Sequence, residues 1–511
     1  MCKIDQTWSA QKRDSVATIA QLDTEAHGGL DIAAASGEDK QYILVSSHTI
    51  IPVEGVSSLG TVDGVDVCYL DDIDLSGPCA QYVVTWDKNP SSETYPLTLN
   101  QHNHLASVNA SGRSSWLGGS FLLPDNLTTP TNTTQKRDTT DPIAHAIHTL
   151  ITDYDALRLA ATADGSSQHL WPANALHITT ADLITDPHTD HATIRHHLEQ
   201  RIDDVCAPGR TPGLFFAICG ERLLVAIDHF HADMASINII LRRLWALLTT
   251  PPAAADAIPT PDPSTAPSFI DAVRHECDAA SWWNDPTNRT ELDNKLEVWR
   301  RFFHTTGGVV PAFPAALGTT ESMTSRHRTE LLIPAAKLNT ASTSGSFADI
   351  LSALATSVHT VTGADSLPCV VPIHTRGRSS SPYHGTVGWM VSNGPMIATP
   401  GDVDGIRTWL REGIRAVTVP LNMVMDRFHP AMPTPQPFMV SYSDFRTGPG
   451  RSASIPGSVY FSSLAPTATV QLWLTRNDAG LSLRAKYPGT ADAEAIMDAC
   501  ISDLTHRLAA A

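Results

Sequence analysis

Two apolar runs, 214–219 and 223–227, flank Gly220-Glu221-Arg222 and predict the most sharply marked β-hairpin of the chain. The second run feeds directly into Asp228-His229-Phe230-His231-Ala232-Asp233, after which the pattern changes to that of a helix over 234–248. Upstream, 81–86 and 116–123 read as strands, the latter stopped by Pro124, and a short helix begins near 99–105. Asp141 followed by Pro142 marks a helix start, and Ile143, Ile147, Leu150 and Ile151 share one face of 142–154. Ile194, Leu198, Ile202 and Val205 give 190–205 the same period.

Residues 1–60 are weakly patterned around one apolar strand, 42–45, and 125–141 is a Thr/Pro-rich loop. Residues 251–267 hold six prolines and no hydrophobic periodicity, which predicts a linker. Beyond it come helices 269–283 and 290–304, an apolar helix 347–358, strands 369–373, 438–442 and 470–474, and a closing helix 491–508. The reading is an α/β chain in four parts. Residues 1–60 form an N-terminal extension of unknown role, 61–250 a first lobe, 251–267 the linker and 268–511 a second lobe.

Composition fits two buried cores. The chain has 511 residues, 42% hydrophobic and 17% charged, more than one compact core accommodates. A formal charge of -18 disfavours a nucleic-acid partner, although a few arginines in a groove would suffice for an anionic small molecule such as coenzyme A. The eight cysteines are scattered with no C-x-x-C pair, which argues against a zinc ribbon, a redox pair or a disulfide framework. Residues 1–10 show no secretory pattern, and no run of 18 apolar residues offers an integral membrane segment. The expected location is cytoplasmic, with the inner membrane surface as an alternative, and the sequons at Asn109, Asn126, Asn132 and Asn288 then carry no meaning.

Against that background the candidate chemistry sits at 228–233. The spacing His229-x-x-x-Asp233 is weak alone, because 22 histidines give about one or two chance matches. One such match, His27 and Asp31, lies in a Gly-rich stretch with no strand before it and is read as noise. Position singles out His229: a strand end fixes the backbone while the side chain can face a cleft. An imidazole there can take a proton from a hydroxyl as its oxygen attacks a thioester. Asp233, if buried, needs a cation to stay ionised, and its expected role is to brace the turn or cap the helix.

The residues 228–233 resemble the H-H-x-x-x-D-G signature of the condensation-domain and chloramphenicol-acetyltransferase-like superfamily. The likeness is nearer to the polyketide-associated acyltransferases that esterify glycolipids such as trehalose. Further landmarks follow in the order of that family: Leu99-Asn100-Gln101-His102-Asn103-His104-Leu105, Asp153-Tyr154-Asp155-Ala156-Leu157-Arg158, Pro372-Ile373-His374-Thr375-Arg376, Gly388-Trp389-Met390-Val391 and Ser441-Tyr442-Ser443-Asp444-Phe445-Arg446. The likeness spans roughly 62–511. Asp228 replaces the first motif histidine, Met234 replaces the motif glycine, and the D-F-G-W-G signature of plant acyltransferases is missing. The resemblance implies two chloramphenicol-acetyltransferase-like lobes in a V with a tunnel between them. It implies His229 as general base, and Asp233 with Arg376 as a structural pair. Trp389, Ser443 and Asp444 are its candidates for tunnel or oxyanion support. The donor would be acyl-CoA or an acyl carrier protein, with no resident cofactor and no metal. The acceptor would be a hydroxyl of a glycolipid, a trehalose-like sugar or another secondary metabolite. A carrier protein or polyketide synthase would be the protein partner, and the chain itself a monomer.

Rival readings accompany each of these. His229, His231 and Asp233 also spell H-x-H-x-D, as in metal-dependent hydrolases, but Met234 occupies the place of the next histidine ligand. A free-standing condensation enzyme would use the same base to form an amide or an ester, and a non-catalytic module would only bind a carrier. Trp389, Trp282, Trp283, Phe302 and Phe303 are read chiefly as core, and His196 with His197 as a solvated helix face.

Overall fold

The computed structural model describes residues 67–70, 73–127, 141–209, 211–249, 268–319, 324–338, 346–378, 380–432, 437–446, 455–463, 467–477 and 479–510. The expected strand 42–45, the pair His27 and Asp31, and the expected linker 251–267 lie outside them. The strands are β1 Val67–Tyr69, β2 Cys79–Trp86, β3 Thr94–Tyr95, β4 Trp116–Leu122, β5 Leu159–Ala161, β6 Gln168–Leu170, β7 Leu176–Ile184 and β8 Leu214–Cys219. They continue with β9 Arg222–Asp228, β10 Ser325–Pro334, β11 Leu367–His374, β12 Val391–Ala398, β13 Met439–Asp444, β14 Val459–Ser462, β15 Gln471–Asn477 and β16 Gly480–Pro488. They form a seven-stranded sheet in the order β1-β14-β4-β9-β8-β2-β7 and a six-stranded sheet in the order β10-β16-β15-β13-β11-β12. A small third sheet joins β3, β6 and β5.

The first sheet is covered on both faces, which is why β9 reads as a continuous apolar run rather than an alternating one. Leu223, Val225 and Ile227 pack with the helices Pro142–Asp153 and Met234–Thr249. Leu224 and Ala226 face the opposite way, toward Ile194, Leu198 and Ile202 of the helix His191–Val205. Strand β14 comes from the second half of the chain and fills the gap between β1 and β4. Gly118 permits that insertion: a Cβ there would lie 2.4 Å from the Phe461 ring. The second sheet lays Leu472, Leu474, Leu481 and Leu483 against the helices Phe347–Thr362 and Ala491–Ala510.

Asp141 caps the helix Pro142–Asp153 by accepting from Ile143 N and Ala144 N, as its place before Pro142 implied. Val205 is half-buried, whereas the three residues expected beside it on that helix face are fully enclosed. The structure corrects one expectation about cysteine. Cys79 and Cys219 are directly opposed on antiparallel β2 and β8, with Cα atoms 4.2 Å apart, and they form a disulfide. Their separation of 140 residues hid this, because cross-strand adjacency is created by the fold and leaves no local spacing. Among the described residues no helix is long and apolar enough to cross a membrane.

Candidate functional site

Strand β9 delivers the site. Asp228 N donates to Gly213 O (2.9 Å) and His229 N to Ser115 O (2.9 Å), so strand-like bonding holds the main chain up to the histidine. Asp228 then turns the chain. Its fully buried carboxylate accepts from Phe230 N (2.8 Å), from His104 Nε2 (2.9 Å) and from Ser114 Oγ. Those three donors satisfy a charge that burial would otherwise penalise.

The ring of His229 emerges from this frame only half-buried. Its Nδ1 is enclosed, with no hydrogen-bond partner beyond the main chain of His229 itself, which leaves Nε2 as the nitrogen able to meet a substrate. The indole of Trp389 lies on the ring, with centroids 3.7 Å apart and planes within 21°. His104 stands 6.4 Å from His229 and edge-on to Trp389 at 5.8 Å. Burial, followed by the neighbouring His104, pushes the His229 pKa down from 6.5 to about 4. The imidazole is therefore neutral at pH 7 and has a free lone pair.

Asp233 ends the turn and begins the helix Met234–Thr249, accepting from Ser236 N (2.8 Å). Arg376, fully buried after the end of β11, meets it in a two-pronged ion pair: Nη1 to Oδ2 at 2.6 Å and Nη2 to Oδ1 at 2.8 Å. The remaining guanidinium bonds reach Thr386 O (2.9 Å), Gly388 O (2.9 Å) and Ser236 Oγ (2.8 Å). Burial alone would raise the Asp233 pKa, but Arg376 and the helix-start donors more than offset it and hold the carboxyl below its usual value. Capping and ion pairing thus coexist on one carboxylate.

His231 is spent elsewhere. Its Nδ1 faces Ala156 O at 3.0 Å and its Nε2 accepts from Gly213 N at 3.1 Å, so both nitrogens are bonded to main chain. Burial lowers its pKa to about 4. With His231 so bound and Asp233 on Arg376, the H-x-H-x-D residues do not converge as ligands, and no group of three metal-binding side chains occurs among the described residues.

Trp389 was expected chiefly as core packing; it is half-buried and stacks on the candidate base. Trp283, Phe302 and Phe303 are core, Trp282 is half-buried, and His196 and His197 are exposed. Ser443 and Asp444 lie near the end of β13, where Asp444 accepts from Arg446 N (3.0 Å), Nε (2.9 Å) and Nη2 (2.7 Å). No described contact joins either to His229. Sequence reasoning gave no role to His104, Ser114 or Ser236. His104 alone carried a signal, as a member of the motif 99–105.

The architecture is shared with known proteins at low identity. PapA2 acyl transferase superposes over 87% of this chain and 100% of that one, with a TM-score of 0.65 and 16% identity. The first condensation domain of the calcium-dependent antibiotic synthetase matches 82% of this chain and 97% of its own (TM-score 0.55, 15% identity). The condensation domain from Monacolin K polyketide synthase MokA matches 82% and 98% (TM-score 0.56, 14% identity). No family model and no curated protein matches the sequence. The chain has the fold of the condensation-domain and chloramphenicol-acetyltransferase-like superfamily.

Proposed function

We propose that the protein is an acyltransferase that moves an acyl group from a thioester to a hydroxyl, with His229 as general base. The observation that carries this reading is the His229 ring itself: neutral at pH 7, anchored at a strand end, with one nitrogen enclosed and the other free. Nε2 takes the hydroxyl proton as the oxygen bonds to the thioester carbonyl carbon. The tetrahedral intermediate then expels the thiolate, which recovers the proton from the imidazolium. The ester and the free thiol are the products, and His229 ends as it began. This step needs no resident cofactor or metal.

The fold supports the reading, since it is shared with a protein described as an acyl transferase and with condensation domains. The donor is acyl-CoA or an acyl carrier protein, and the acceptor a sugar hydroxyl of a glycolipid or trehalose-like compound. Mass spectrometry of products from mixed acyl-CoAs with sugar and amine acceptors tests this directly. Acylated sugar formed by the wild type and absent with His229→Ala is the expected result. Acylated amine alone would point to a condensation-type amide synthase. Equal turnover by both proteins would remove His229 from the mechanism.

A further inference from the structure

We infer that Trp389 is a positioning residue for His229, and that the Asp233–Arg376 pair acts on the reaction through it. The inference rests on His229 being the base. A catalytic imidazole is ordinarily oriented by a hydrogen bond at its second nitrogen. His229 receives none from another residue: Nδ1 is enclosed and has no partner beyond the main chain of His229 itself. What holds the plane of the ring is the stacked indole, 3.7 Å away between centroids and supplied by the other half of the chain.

The indole is in turn locked from both sides of its own backbone. Gly388 N donates to Ser236 Oγ (3.0 Å), and Gly388 O accepts from Arg376 Nη2 (2.9 Å). Met390 N donates to Asp233 Oδ2 (3.1 Å). The peptide units before and after Trp389 are therefore bound to the same Asp233, Ser236 and Arg376 that open the helix after the histidine. Gly388 is required for this approach: a Cβ there would sit 2.1 Å from the Phe269 ring. His104 closes the remaining side, edge-on to the indole at 5.8 Å and itself fixed by Asp228. The last residue of the motif thus reaches its histidine through a loop of the second half rather than by direct contact.

Three variants test the chain of contacts: Trp389→Leu, Trp389→Phe and Ser236→Ala. In protein with isotopically labelled histidine, and with His229→Gln to assign the signal, the His229 ring protons should be shifted upfield by the indole. The shift should shrink in Trp389→Phe and vanish in Trp389→Leu. In acyl transfer, Trp389→Leu should lower kcat by about tenfold to a hundredfold with KM changed less than about twofold. It should also move the acidic limb of kcat/KM upward from its place near pH 4, because the uncovered ring is less desolvated. A purely structural tryptophan would not move that limb. Ser236→Ala should reduce kcat in the wild-type background and add little in Trp389→Leu. An unshifted ring signal in the wild type, or an unchanged kcat and limb in Trp389→Leu, overturns the inference. Should Trp389→Leu not fold, Trp389→Phe and Ser236→Ala carry the same readouts. Activity surviving in His229→Ala sinks the assignment of the base, whereas the ring shift still reports the stacking.

Discussion

The turn 228–233 and the segment 374–391 meet at one site but contribute in different ways. The turn places four titratable side chains within six residues, and three of them are bound into their own surroundings: Asp228 to His104 and Ser114, His231 to Ala156 and Gly213, Asp233 to its helix start. The segment from the second half brings one buried cation and one indole, and almost everything else it offers is main chain. In the proposed reaction, one region supplies the group that reacts and the other fixes where that group points. A residue that reacts can be spotted by its chemistry, whereas residues that aim it are recognisable only once the fold has joined them.

The largest effects are expected on the aiming side. Arg376→Ala leaves the Asp233 carboxylate buried without its cation, and denaturant unfolding should show a loss of roughly 3–5 kcal/mol. Asp233→Asn should cost less, and the double variant should be strongly non-additive. Additive effects would mean that the two side chains act independently.

Acid probes the reacting side. His231 is neutral in the folded protein down to pH about 4, against 6.5 for a free imidazole, so between those values the unfolded chain binds more protons. Stability contributed in this way rises with pH across that window and is constant above it. Lowering the pH from 7 to below 4 should cost about 3 kcal/mol through His231 alone. Protonated Nε2 could no longer accept from Gly213 N, so His231→Asn should flatten the acid dependence. An equally steep decline in that variant would place the cause elsewhere.

A smaller change sharpens the boundary between the regions. Asp228→Asn exchanges charge-assisted bonds to His104 and Ser114 for neutral ones, and unfolding should detect a loss of about 1–3 kcal/mol. His196→Gln, on an exposed helix face, should stay within about 0.5 kcal/mol of the wild type and leave turnover unchanged. A larger effect there would show that exposure on the helix does not separate inert histidines from working ones.

Most strands and helices with strong apolar runs or a clean helical period were legible in the sequence, among them β8, β9 and the helix Met234–Thr249. Those that escaped share a physical cause. Strand β7 is exposed over most of its length and presents polar residues on both faces, so it lacks alternation. Strand β12 contains Gly394 and Pro395, which read as breakers, although the strand pairs with β11 along its length. Strand β14 is only four residues long and belongs to the sheet of the other half. At the candidate site, the sequence pattern points to His229 and Asp233, and the family resemblance to Arg376. Trp389 was assigned mainly to packing because nothing local to an indole tells whether its face meets a core or an imidazole. The disulfide Cys79–Cys219 escaped for the same reason.

The central claim is that a neutral, partly open imidazole at the end of β9 takes the proton. Its most direct test is the pH dependence of kcat/KM for acyl transfer, run from pH 8 to pH 4 with His229→Ala as baseline. A flat profile through pH 5.5, a decline only toward pH 4, and loss of the rate at every pH in the variant are expected. A rate for His229→Ala close to that of the wild type would contradict that claim, as would a midpoint at 6.5.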